Sequence, residues 1–80
     1  MPLRRVTFTF STGLIQRPLI YELGKKFEIV TNIRRAEVDH EEGWVVLELE
    51  GALEEIDRGL KWVTDQGVDV TALEGDIMAG

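Results

Sequence analysis

Near the start of the chain, apolar and polar positions alternate strictly. In "RVTFTF", Val6, Phe8 and Phe10 fall on one side while Arg5, Thr7 and Thr9 fall on the other, which is the two-residue period of a half-buried strand. "PLIYELGKKF" changes to helical spacing, with Pro18 suited to a first helical position and Leu19, Ile20, Leu23 and Phe27 on one face. Gly24 weakens that helix by about 1 kcal/mol relative to alanine, so the helix must lean on tertiary packing. "EIVTNIRRAEVD" predicts a second strand with a fault in its alternation. Ile29 and Ile33 share one phase, Ala36 and Val38 the other, and a bulge or a late strand start around Thr31–Ile33 would reconcile them. After the turn "HEEG", the run "WVVLELEG" is the clearest strand. Val45, Leu47 and Leu49 lie opposite Trp44, Val46, Glu48 and Glu50.

"ALEEIDRGLKWVTDQG" predicts the best helix of the chain, with Leu53, Ile56, Leu60 and Val63 as one apolar stripe. Glu54 and Glu55 favour the positive end of its dipole, and Gly67 suits a left-handed stop. "VDVTAL" closes with a short strand. "EGDIMAG" has no pattern and reads as a frayed tail, so the expected organisation is one domain over residues 1–74 and a tail over 75–80. The order β-α-β-β-α-β predicts an α+β fold, the ferredoxin-like sandwich of a four-stranded antiparallel sheet with both helices on one face.

Such an architecture leaves one side of the sheet bare. The phase opposite the core carries Thr7, Trp44 and Val46 as candidate dimer-interface residues, together with Arg5, Thr9 and Glu48. An exposed tryptophan beside a valine marks an association surface, unless Trp44 merely folds over the sheet edge. Size strengthens the case for association. Eighty residues with no cysteine bury only about 60% of the unfolded surface and cannot be stapled by disulfides.

Charge removes other classes. The net charge of −6 argues against nucleic-acid binding, and Glu48 and Glu50 stand where the base-stacking strand of an RNA recognition motif would need basic and aromatic residues. No apolar run approaches a membrane span of roughly 20 residues, and the N-terminus lacks a signal-peptide core, which places the chain in the cytoplasm by default. Asp39, His40, Glu41 and Glu42 are consecutive in a tight turn and lack metal-ligand spacing, so a solvated turn is expected and no metal or cofactor. His40 is the only histidine. "STGLIQRP" has Arg17 but no glycine-rich phosphate cradle. No enzymatic activity is expected.

Asn32, Arg34 and Arg35 leave two readings open. Arginines blunt edge-to-edge pairing and can pair with the glutamates of the following strand. Alternatively, an asparagine that donates and accepts, beside an arginine that binds carboxylates bidentately, would grip an amino-acid head group.

"TNIRRAEVDHEEGWVVLELEGALEEIDRGLKWVTDQGVDVTAL" resembles the NIL domain, and the resemblance extends back through "RPLIYELGKKF" and "RVTFTF". The family's Asn-Ile-Leu tripeptide falls on Asn32, Ile33 and Arg34, and the runs over 43–51 and from Trp62 to Val70 are also similar to it. The resemblance implies a ferredoxin-like, ACT-like regulatory module of methionine ABC importer ATPases. Such a module is a homodimer that binds methionine or a related amino acid, with Asn32, Ile33 and Arg34 at the ligand. The likeness is closer to the branch found ahead of iron–sulfur ferredoxin modules in sulfur amino-acid metabolism. It therefore implies an ABC importer or an iron–sulfur protein as partner, whether the chain is free-standing or an excised domain. Arginine in place of the family leucine at position 34 implies a more polar or anionic ligand, or a site without one. The alternative is a ligand-free interaction module that docks on such a partner through its open face.

Overall fold

A computed structural model describes residues 2–14, 17–39 and 41–78. His40, on which the turn reading partly rests, lies outside them. The elements are β1 (Leu3–Phe10), a single 3-10 turn (Thr12–Leu14), α1 (Leu19–Lys26), β2 (Val30–Val38), β3 (Gly43–Glu50), α2 (Leu53–Asp65) and β4 (Asp69–Met78). The sheet runs β2-β3-β1-β4, antiparallel throughout. This is the βαββαβ sandwich that the periodicity predicts. Both helices cover the face that carries Val6, Phe8, Val45, Leu47 and Leu49, and these residues form one core with Leu19, Leu23, Ile29, Ile56 and Val63.

The register shows why the alternation of β2 breaks. Ile33 pairs with Leu47 and Arg35 with Val46, so Arg34 is an extra residue without an opposite number. This bulge reverses the phase of the strand. Ile33 before it, and Ala36 and Val38 after it, all point to the helix side opposite Leu47, Val45 and Gly43.

One expectation about α2 needs correcting. Leu53 is 40% exposed, because it sits in the first turn at the margin of the stripe. Its place in the interface is taken by Gly59, which is buried with Ile56 and Val63. A Cβ at position 59 would lie 2.6 Å from Ile29 Cδ1 and 2.9 Å from Leu23 Cδ1, so the helix is seated closely enough that even a methyl would have to move the ends of those two side chains. The backbone of β4 runs from Asp69 to Met78, with Met78 opposite Leu3 and Ile77 opposite Arg4. At the far end of α2, Gly67 has φ of +97°, the left-handed stop expected there.

Candidate ligand-binding edge

The open face is laid out in cross-strand rows. Asn32 of β2, Glu48 of β3 and Arg5 of β1 make one row. Arg35, Val46, Thr7 and Thr71 make the second, and Glu37, Trp44, Thr9 and Asp69 the third. The rows follow from period-two alternation on four strands, and on β2 from the bulge that restores Arg35 and Glu37 to this face.

Glu48 is the centre of the first row. Arg5 Nη2 donates to its Oε2 at 2.7 Å, and Arg34 Nη1 lies 4.0 Å from its Oε1. The hydrogen bond from Arg5, and secondarily the positive charge of Arg34, hold the Glu48 carboxyl below the ordinary value of 4.5. The sign of the linkage is definite. The unfolded chain holds this proton more tightly, so the contribution is complete above the ordinary carboxylate range and is lost as pH falls through the depressed value. We expect Glu48→Gln to flatten the acid-side fall of the thermal midpoint, read from melts over an acidic pH series. Equal slopes in the two proteins would contradict the pairing.

The three residues expected at the ligand do not converge on one face. Asn32 lies opposite Glu48 on the open face, Ile33 points to the helix side opposite Leu47, and Arg34 sits in the bulge with its guanidinium turned towards Glu48. What the open face does bring together is Asn32, Arg34 and Glu48. The side chain of Arg34 is 54% exposed and that of Glu48 only 14%, a free-reaching cation over a seated carboxylate. The sequence pattern places Glu48 on this face and as a partner for the arginines, and the structure sets it between Arg5 and Arg34. Its place opposite Asn32 depends on the bulge at Arg34, since the hairpin continued without it would set Asn32 against Leu49.

The expected interface residues are less bare than alternation suggests. Trp44 is half-buried, with the Arg35 guanidinium 5.9 Å from its ring centroid, and Val46 and Thr7 are half-buried too. The exposed large apolar side chains among the described residues are Tyr21, Val30, Ile33, Val38 and Leu53. Tyr21 and Val38 also line a cleft of about 200 Å³ on the helix side, together with Phe10, Pro18, Ile20 and Val45. Arg17, the lone candidate phosphate ligand, is spent on structure. It donates to Glu22 at 2.9 and 3.1 Å and to Gln66 at 2.7 Å, bracing the loop against both helices. In the hairpin turn, the amides of Glu41 and Glu42 both donate to Asp39 Oδ1 at 2.8 Å, which depresses that carboxyl.

The family model for the NIL domain matches residues 4–72, almost the whole of the fold just described. The chain belongs to the NIL domain family. Among curated proteins, none matches the sequence. The fold of this NIL domain is similar to the C-terminal domain of an ABC transporter ATP-binding protein from Enterococcus faecalis. The TM-score is 0.78 at 13% identity, over 91% of this chain and 86% of that one. It is also similar to part of an amidase of the hydantoinase/carbamoylase family from Burkholderia phymatum, with TM-score 0.75 and 14% identity. That match spans 96% of this chain but 29% of the amidase. A de novo designed protein, Foldit4, shares the fold at TM-score 0.59 and 12% identity, over 90% and 92% of the two chains. At these identities the likeness is one of fold. Among its described residues the NIL domain has no helix long and apolar enough to cross a membrane.

Proposed function

We propose that this NIL domain is a small-molecule-binding regulatory domain that takes methionine or a related amino acid and works as a homodimer on the cytoplasmic side of the membrane. Its supporting observation is the cluster of Asn32, Arg34 and Glu48, which offers both signs of charge and a neutral amide within one patch of sheet. An amino-acid head group needs that set: a guanidinium for the carboxylate, a carboxylate for the ammonium, and an amide that donates or accepts. The ligand enters by taking Arg34, which stands 4.0 Å from Glu48 and is not locked to it. Binding acts on a partner by shifting populations, since differential affinity for two states is all a ligand can contribute. The Enterococcus faecalis domain is the C-terminal domain of an ABC transporter ATP-binding protein, so an importer ATPase is the first partner to test and an iron–sulfur protein of sulfur amino-acid metabolism the second.

Calorimetric titration with methionine, homocysteine and other amino acids tests the reading. Saturable heat is expected from the native chain, and Asn32→Ala should weaken binding about tenfold or more, the loss of one hydrogen bond to a charged group. No heat and no thermal shift at millimolar amino acid would end it. A ligand-free docking module is the second reading, supported by the part of Trp44 that Arg35 leaves open. Under it, Trp44→Glu abolishes association with the partner while Asn32→Ala does little.

A further inference from the structure

Three aromatic rings lie along the seam between α1 and α2. Phe27 and Trp62 meet at 6.1 Å between centroids, while Tyr21 and Trp62 line one open cleft of about 350 Å³ with Arg17, Glu22, Lys25 and Lys26. Every ring carries a cation. Arg17 and Lys26 stand 5.7 and 5.9 Å from the centroid of Trp62. Lys25 stands 5.6 Å from that of Tyr21, and Arg58 5.8 Å from that of Phe27. Arg17 is held by Glu22 and Gln66, and Arg58 by Glu55. Lys25 and Lys26 have no ion pair among the described residues. Two unmatched positive charges thus stand beside the rings, on a chain with fifteen acidic side chains against nine basic ones.

Helix chemistry explains only part of this arrangement. Cations suit the negative end of a helix dipole, and both lysines sit in the last turn of α1. That does not explain why Tyr21 is 65% exposed or why the half-buried Trp62 shares its cleft. We propose that this cleft docks an acidic segment of a partner protein. An apolar side chain of the segment lies against Tyr21 and Trp62, and its carboxylates take Lys25 and Lys26. Tryptophan, tyrosine and arginine are the residues in which binding energy concentrates. The two lysines gain carboxylates on docking without breaking an existing ion pair, so attraction is not offset by a lost one.

Charge selects the partner. With a net charge of −6, the rest of the surface repels an acidic segment, so the patch fixes where it lands. A nucleic acid would draw a long run of phosphates over that acidic remainder, which a short peptide avoids. Leu19 and Leu23 turn the opposite face of α1 into the core, so the cleft lies apart from the open face of the sheet. It is equally apart from Asn32, Arg34 and Glu48, and the proposal rests on neither reading of the function.

The test uses Trp44→Phe, which leaves Trp62 as the only tryptophan of the chain, so that intrinsic fluorescence reports the cleft. The probe is a capped synthetic peptide in which glutamates flank a single leucine. A saturable shift of the Trp62 emission is expected. Reversing Lys25→Glu and Lys26→Glu together should weaken binding about tenfold or more, and so should Tyr21→Ala. All three positions are exposed, and thermal melts check that the variants fold. Lys25→Gln with Lys26→Gln serves in their place if the reversal disturbs the helix. Calorimetry on the native chain gives the same affinity without the Trp44 replacement. No binding, or binding that the lysine and tyrosine variants leave intact, overturns the proposal. So does equal binding of a peptide of glutamates alone, or of a single-stranded oligothymidylate, since either would make the cleft a general anion patch.

Discussion

Phe8→Ala should cost about 3–5 kcal/mol and lower the thermal midpoint by roughly 12–40 °C. Phe8 is fully buried on the central strand β1, flanked in register by Val45 on one side and Val70 on the other. Its ring meets Phe10 edge-on at 6.3 Å. The neighbouring strands are held by their own ladders and cannot collapse into the space, so the cavity term adds to the lost transfer energy. A domain of this size has a total stability of about 4–12 kcal/mol, scaled by length. The loss takes a quarter or more of that stability, so a much earlier unfolding transition is the expected outcome, checked by circular dichroism and urea titration. A loss below about 1 kcal/mol would mean that the core is not built around this ring.

Gly59→Leu is the second large effect, and it tests how α2 is seated. The helix approaches α1 and the start of β2 so closely that even a Cβ would press on Ile29 and Leu23. A leucine must push α2 outward or force those side chains off their rotamers, at about 1–3 kcal/mol. Gly59→Ala should be much milder, within about 1 kcal/mol of native. The methyl meets only the flexible ends of two side chains, and alanine restores about 1 kcal/mol of helix propensity. Denaturant midpoints of the pair check this, and equal losses in both variants would place the strain in the backbone instead.

These two positions also mark how much of the molecule is legible in the sequence. Phe8 is readable because alternation on a strand has a period of two and admits one solution. The same holds for β3, and the order of elements then leaves few topologies. Gly59 is not readable, because an apolar stripe is counted from side chains and a glycine has none. The count therefore favoured Leu53, which lies in the first turn at the stripe's margin. The bulge on β2 was legible as a fault in phase but was expected over Thr31–Ile33, whereas the extra residue is Arg34. A phase reversal shows that one residue is surplus between two apolar anchors, without saying which. Of the candidate site, Asn32 and Arg34 stand beside Glu48, while Ile33 points the other way. Reading a tripeptide as one site assumes that neighbours point together, and on a strand they do not.

Arg34 divides β2 into two reading frames. Upstream, odd-numbered residues look towards the helices; downstream, even-numbered ones do. Removing Arg34 would join the two frames into one regular alternation, with Asn32 and Arg35 still on the open face and Ile33 and Ala36 still on the helix side. Arg34 is thus a residue the strand can lose without turning its neighbours over, at the cost of the cation held beside Glu48.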